Sequence, residues 1–180
     1  LFGESLSIRQ RLAESDPANA GWQRDLSVSF NKLGDLATAQ GNLPEAQRLF
    51  GEALRIRQRL AESDPANAEW QRDLSVSFGQ LGVLATSQRN LPEAQRLIGE
   101  TLRIQQRLAE SDPANADWQR DLVVSHHKLA FLARDNGDEA GYEAELRECF
   151  RVLDQMHQRD LHFDPPLAKL YQHLAGMFGG

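Results

Sequence analysis

Apolar residues recur at helical spacing along this chain. Leu26, Phe30, Leu33 and Ala37 are separated by four, three and four residues, so they share one stripe of an amphipathic helix. This stripe predicts a first helix from about residue 20 to residue 40. No segment shows sustained alternation of apolar and polar residues with a period of two, so no strands are predicted.

A second helix follows after a short break. Gly41-Asn42 interrupts the pattern, and Pro44 lies in the first turn of the next helix, where its missing N–H removes no hydrogen bond. The apolar phase continues to about Ser63. Asp64-Pro65 then ends the helix, because proline disfavours helical geometry in the residue before it. The segment predicts a helical hairpin.

The hairpin repeats with a period of 48 residues, since the ten residues that begin at Arg11 recur at Arg59 and Arg107. A fixed long period is typical of stacked helical units with one shared core, so an all-α solenoid of antiparallel hairpins is predicted. We divide a single repeat domain, residues 1–180, into the second helix of a truncated preceding repeat (1–16), repeat 1 (17–64), repeat 2 (65–112), a divergent repeat 3 (113–158) and a C-terminal cap helix (159–180).

The motif within each hairpin resembles the tetratricopeptide repeat. It reads Phe30-x-x-Leu33-Gly34-x-x-Ala37, Ala46-x-x-x-Phe50 and a closing Pro65. The second copy has Phe78, Leu81-Gly82, Ala85, Ala94 and Ile98 at the same spacing. The resemblance implies a right-handed superhelix. The period of 48 exceeds the 34 residues of an ordinary tetratricopeptide repeat by 14. These extra residues add roughly two turns to each helix, similar to the long repeats of kinesin light chains. HEAT and armadillo repeats have comparable periods and rank second, because they lack this motif.

The two ends of the chain differ. Residues 1–4 match residues 49–52, so the chain is expected to begin inside a repeat, and we hypothesise self-association through an uncapped N-terminal edge. Near the other end, Asp164 is a plausible N-cap with Pro165 at the first helical position, which predicts a terminal helix over residues 165–178 that covers the last hairpin.

Residues 11–58 and 59–106 differ at nine positions of 48, and four of these lie on the first helix within an arc of about 100°. In the tetratricopeptide family, the exposed side of the first helix lines a concave groove that holds extended peptides. The resemblance therefore implies a peptide-binding groove formed by Asn31, Lys32, Asp35, Thr38, Gly79, Gln80, Val83, Thr86, His127, Lys128, Phe131 and Arg134.

The chemistry of this predicted groove changes between copies, from polar and charged to small and apolar to aromatic and basic. We expect an uncharged or apolar peptide segment to meet Val83 and Phe131, with Asp35 available to a basic residue. The competing interpretation is drift at unconstrained surface positions. Three differences on the second helix are interpreted as local repacking: Phe50/Ile98, Ala53/Thr101 and Arg57/Gln105.

The formal net charge is −6, with both signs interleaved along each repeat, which argues against binding to nucleic acid or anionic membrane. No apolar run approaches the roughly 20 residues that span a bilayer, and the sequence has no signal-peptide pattern. A lone cysteine, Cys149, fits a reducing compartment, so a cytoplasmic location is predicted. The 17 arginines against three lysines suggest a bacterial gene.

No catalytic, cofactor or metal site is predicted. The five histidines lack metal-ligand spacing, and the mid-helix Cys149 is expected to be an inert buried thiol. Trp22, Trp70 and Trp118 are expected to pack between repeats. The predicted function is a non-enzymatic scaffold that binds an extended peptide or partner protein segment. The alternative is a structural or oligomerisation arm, or a regulatory sensor segment of a larger bacterial signalling protein.

Overall fold

The computed structural model describes residues 2–179, and side chains from residue 6 onward. This part of the chain folds into eight helices and contains no strand. The helices are α1 (Phe2–Ser15), α2 (Ala20–Ala39), α3 (Leu43–Ser63), α4 (Ala68–Ser87), α5 (Leu91–Ser111), α6 (Ala116–Asp135), α7 (Glu139–Gln158) and α8 (Pro165–Phe178).

Local sequence signals set the helix ends. The Asn19 side chain accepts a hydrogen bond from the backbone N–H of Trp22 at 3.1 Å, and thereby satisfies a donor that the first turn of α2 leaves free. Asn67 and Asn115 cap α4 and α6 in the same way. Asp164 caps α8 ahead of Pro165, as the sequence predicted.

The chain forms two compact units, Leu1–Asn90 and Leu91–Gly180. In the first unit, α1 packs on α2, α2 on α3 and α3 on α4; in the second, α5 packs on α6, α6 on α7 and α7 on α8. The predicted all-α solenoid class is confirmed. The division between the units falls inside the predicted second repeat, and the repeat boundaries stay predictions; Leu1 and Gly180 lie outside the described residues.

Each unit has its own apolar core. In the first unit, Phe30, Phe50 and Ile56 belong to a buried apolar cluster. Trp22 and Trp70 pack against this cluster, as expected for residues that join helices. The core of the second unit is formed by α5, α6, α7 and α8, and its buried residues include Val123, Cys149, Leu153, Met156 and Leu174. Because Leu174 belongs to α8, this helix covers apolar surface of the second unit.

The turn between the paired helices requires left-handed backbone. Gly41 has φ of 74° and Gly137 has φ of 75°, and Arg89, at the equivalent position, has φ of 58°. A residue with a Cβ is strained in this conformation, so the change from glycine to arginine at this position lowers the stability of the second copy of the turn.

Gly34 is required where α2 crosses α3. An added Cβ would lie 2.5 Å from Cε1 and 2.6 Å from Cδ1 of Phe50. Replacing a mid-helix glycine with alanine ordinarily stabilises a helix by about 1 kcal/mol, whereas overpacking a core costs about 1–3 kcal/mol. The clash is severe, so we expect Gly34→Ala to lower the free energy of unfolding.

Gly51→Ala is the matched control. Gly51 is also helical, but its added Cβ would meet no atom within 4 Å, so this change is expected to raise stability by roughly 0.5–1 kcal/mol. Urea unfolding followed by circular dichroism measures both variants. An unchanged or raised midpoint for Gly34→Ala would contradict the packing argument.

Candidate functional site

The structure separates the candidate groove residues by exposure. Five are exposed, Lys32, Asp35, Thr38, Val83 and Arg134, and five are half-buried, Gln80, Thr86, His127, Lys128 and Phe131. Asn31 and Gly79 are buried, which contradicts their expected place on an exposed surface. They lie at the margin of the predicted arc, where the first helix turns towards its neighbours.

Asn31 is buried because it contacts a buried arginine. Arg57 of α3 is 4% exposed, and its guanidinium lies among polar groups of α2 and α4. Nε donates to Ser27 Oγ at 3.1 Å, and Nη1 donates to Ser77 Oγ and to the Asp73 carbonyl, both at 3.0 Å. With the Asn31 amide oriented to satisfy both of its polar atoms, its oxygen accepts from Nη2 at 2.9 Å.

The hydrogen bonds continue from Arg57 to the surface. In the same orientation, Asn31 Nδ2 donates to Gln80 Oε1 at 2.9 Å, and Gln80 Nε2 donates to Asp35 Oδ1 at 3.2 Å. We call Arg57, Asn31, Gln80 and Asp35 the polar chain. It runs from a buried guanidinium to an exposed carboxylate and thereby restricts the orientation of that carboxylate.

Burial and charge oppose each other along the polar chain. Desolvation lowers the pKa of Arg57, although the Asp73 carboxylate counteracts this effect. Desolvation also raises the pKa of Asp35, and the hydrogen bond from Gln80 opposes that rise. Asp35 forms no ion pair within the described part of the chain, so its carboxylate is available to a cation.

The polar chain explains why several sequence differences occur together. Asn31, Asp35 and Arg57 of the first copy become Gly79, Val83 and Gln105 in the second, and Gln80 replaces Lys32. The stripe interpreted as local repacking is indeed buried at Arg57 and Gln105. However, Arg57 is also linked to the exposed face, so the two sets of differences are not independent in the first unit.

Exposed valines lie on the first helices, and the sequence analysis selected Val83 but missed Val76 and Val124. Val76 is 41% exposed and Val83 is 44% exposed, and they are seven residues apart on α4, on either side of Gln80. Val124 of α6 is also exposed. The available signal was an apolar residue repeated at a phase outside the buried stripe, which a search confined to differences between copies could not detect.

The corresponding face of α6 in the second unit is aromatic and basic. The ring centroids of His127 and Phe131 are 4.6 Å apart, and Phe131 meets Tyr142 of α7 edge to face at 6.1 Å. The guanidinium carbon of Arg134 lies 4.3 Å from the centroid of Phe131, a cation–π contact. The structure therefore brings three of the four predicted α6 residues together and adds Tyr142, which the sequence analysis did not select.

The electrostatics of the α6 face follow from partial burial. Desolvation lowers the pKa of His127 below its ordinary value, so the imidazole is neutral at pH 7. Desolvation also lowers the pKa of Lys128, while Asp121 opposes the shift. Arg134 is thus the permanently charged group that contacts the aromatic rings on this face.

The cysteine and histidine side chains considered for catalysis or metal binding do not form a site among the described residues. Cys149 is inaccessible, and burial, with the nearby Glu145 and Glu148 carboxylates, raises the pKa of its thiol to about 12, so it is an inert thiol as predicted. His126 is buried, with Nδ1 at 2.7 Å from Glu145 Oε2. Residues 2–179 contain no group of three or more potential metal ligands. None of the described helices combines the length and hydropathy needed to cross a membrane.

Comparison with known families identifies the hairpins. The tetratricopeptide repeat model matches residues 27–67 and 75–115, two segments whose starts are 48 residues apart. These two segments are tetratricopeptide repeats. The matched repeats contain α3 and most of α2, and most of α4 and α5, so they include the exposed first-helix residues of the first two copies. No curated protein matches the chain in sequence.

A solved structure has a fold similar to that of this chain. BtubC (BKLC) from P. vanneervenii is 21% identical over 91% of this chain, with a TM-score of 0.62. The match covers 60% of BtubC, so the chain spans less than two thirds of that protein. A de novo designed helical repeat protein is 11% identical over 98% of the chain and 89% of its own length, with a TM-score of 0.39. A tetratricopeptide scaffold is in general a protein-interaction module.

We expect the buried hydrogen bonds of Arg57 to contribute to the free energy of unfolding. Arg57→Ala would leave the oxygen atoms of Ser27, Ser77 and Asn31 without their donor inside the first unit. Unsatisfied buried groups are costly, so we expect the free energy of unfolding to fall by about 2–4 kcal/mol.

Arg55→Ala provides the control for that experiment. Arg55 is exposed and pairs with Glu52 at 2.7 Å, and exposed pairs of this kind contribute less than about 1 kcal/mol. Thermal and urea unfolding compare the two variants. A similar small effect of both changes would show that Arg57 does not anchor the interface between α2, α3 and α4.

Proposed function

We propose that the protein is a non-enzymatic scaffold whose exposed first-helix faces bind extended segments of a partner protein. The observation that carries the proposal is the pair of exposed valines on α4 beside a carboxylate held by the polar chain. Apolar surface supplies affinity, and an oriented carboxylate supplies specificity. The proposed ligand for the first unit is a segment with an apolar residue close to a lysine or arginine.

The threonines of this face fit the same role. Thr38 Oγ1 donates to the Gly34 carbonyl at 2.9 Å, and Thr86 Oγ1 donates to the Gly82 carbonyl at 3.0 Å. Their hydroxyl protons are therefore engaged, while their oxygen atoms can still accept hydrogen bonds. Together with Asp35, they make the face rich in acceptors, which favours a ligand that carries donors.

The α6 face supports binding of a segment with different chemistry. Phe131 and Tyr142 offer aromatic surface, and Arg134 lies against both rings, 4.3 Å and 5.7 Å from their centroids. We propose that this face, within the second unit, prefers aromatic or acidic residues. The two units would therefore bind segments of different composition.

Selection from a random peptide library tests the proposal without a known partner. We expect selected peptides to include a group that combines basic and apolar residues and binds the first unit. Val83→Glu should weaken these peptides by about tenfold or more, because it buries a charge against apolar side chains. Isothermal titration calorimetry measures the affinities.

Met177→Glu is the matched control, since Met177 is an exposed apolar residue on α8, at 51% exposure. It should leave peptide affinity unchanged. Loss of binding with both variants, or with neither, would count against the α4 face. Failure to select any peptide would favour the alternative of a structural or oligomerisation arm.

The raised pKa of Asp35 predicts a pH dependence. Only the ionised carboxylate attracts a cationic ligand, and desolvation makes this group take up a proton at a higher pH than the ordinary aspartate value of about 3.9. Affinity for a lysine-containing peptide should therefore be complete at neutral pH and decline as the pH falls through the raised pKa.

Asp35→Asn serves as the reference for the pH series. It should bind the cationic peptide more weakly at pH 7 and show a flatter profile, whereas Glu62→Gln, at an exposed acid of α3, should follow the unmodified protein. Identical pH profiles with and without the Asp35 carboxylate would exclude it as the group that contacts the ligand.

A further inference from the structure

Three large apolar side chains of the first unit are exposed at positions that are buried in the later copies. Ile8 and Leu12 of α1 are 51% and 39% exposed, and Leu36 of α2 is 43% exposed. Their equivalents, one and two periods later, are at most 8% exposed: Ile56, Ile104, Leu60, Leu108, Leu84 and Leu132.

The buried equivalents indicate what covers these positions. Ile56 and Leu60 belong to α3, which packs along α2, the first helix of the same hairpin. Leu84 of α4 lies in the same core cluster. When a second helix forms a hairpin with a first helix, this isoleucine and this leucine are therefore buried. The α1 helix carries the same two residues, but it has no such hairpin partner among the helices of the first unit.

An ion pair between successive first helices supports the same conclusion. Arg24 Nε of α2 contacts Asp73 Oδ2 of α4 at 2.6 Å, and Arg24 Nη1 contacts Glu69 Oε2 at 3.2 Å. The Asp73 contact raises the pKa of Arg24. Asp25 is the equivalent of Asp73 one period earlier; it is exposed and forms no ion pair with any described residue.

The second unit shows how this contact is completed at α8. Arg120 is the equivalent of Arg24, and its Nη2 contacts Asp164 Oδ2 at 2.8 Å. Asp164 is also the N-cap of α8. The Asp164 carboxylate thus pairs with Arg120 as Asp73 pairs with Arg24. Asp25 has no corresponding arginine among the described residues.

We propose that Ile8, Leu12, Asp25 and Leu36, here called the open edge, form a docking surface for an amphipathic helix with the first-helix pattern. The incoming helix would place apolar residues against α1 and α2 and an arginine against Asp25. The occupant is a helix like α4, in which Arg72 follows Trp70 by two residues. An intact second copy of this chain fits less well, because its Arg24 and Arg120 are already paired and its Arg72 also has an interaction within the chain.

A synthetic peptide of residues 67–90, labelled with fluorescein, is the probe. We expect saturable binding to the full chain by fluorescence anisotropy. Asp25→Arg should weaken binding by about tenfold or more, because it replaces an attraction with a repulsion. The peptide that carries Arg72→Asp should bind the Asp25→Arg protein better than the unmodified protein, since the swap restores the ion pair in reverse.

Glu62→Arg, at an exposed acid of α3, is the control for the change in net charge and should bind the unmodified peptide normally. Circular dichroism verifies that each variant is folded. Loss of binding without rescue by the charge-swapped peptide would overturn the proposed contact at Asp25, as would binding that Ile8→Glu leaves unchanged. Asp35→Asn should not affect this peptide, so the experiment is independent of the function proposed above.

Sedimentation equilibrium distinguishes self-association from helix docking. If the protein forms dimers that Ile8→Glu abolishes, and the peptide does not compete, a second copy covers the open edge and the proposal is wrong. Dimers that the peptide dissociates, or a monomer that binds the peptide, support it.

Discussion

Each hairpin of this chain has apolar surface that it cannot bury alone. The stripe that contains Leu26 and Phe30 faces α3, but tryptophans and leucines at the sides of the hairpin need a neighbouring unit. Burial of this surface is the main stabilising contribution, and it requires that each helix pack on the next. The α8 helix meets this requirement by burying Leu167 and Leu174. Ile8 and Leu12 are exposed because none of the described helices covers them.

The core of the first unit also contains buried polar groups, which belong to the polar chain and its partners. A buried guanidinium is costly to desolvate, and Arg57 is retained between three helices by neutral acceptors and the field of Asp73 rather than by direct contact with a carboxylate. Its partners must therefore be polar, which explains serines at buried positions of α2 and α4. Because the chain of hydrogen bonds ends at Asp35, the residues inside the hairpin influence which ligand chemistry the exposed face can offer.

Sequence alone predicted the helices well, because the period, the asparagine caps and the prolines are local signals that tertiary packing does not overrule. It placed α2, α3 and α8 within a residue or two of their observed ends. The binding face was less predictable. Helical phase alone assigned Asn31 to the surface, since it does not show how closely α4 and Arg57 approach. Val76 and Tyr142 were missed because one is unchanged between copies and the other belongs to the divergent second helix.

The second helices provide the comparison that favours function on the first-helix face. Their exposed charges are neutralised within the helix, by Arg48 with Glu45 and Arg55 with Glu52, at 2.6 and 2.7 Å, and by the same pairs one period later. A partner that used those charges would have to break existing ion pairs, so little affinity would be gained. On the first-helix face of the first unit, the Asp35 carboxylate accepts a hydrogen bond from Gln80 but forms no ion pair with a described residue, and exposed valines lie beside it. A ligand cation can therefore meet that carboxylate without displacing a cation that belongs to the protein.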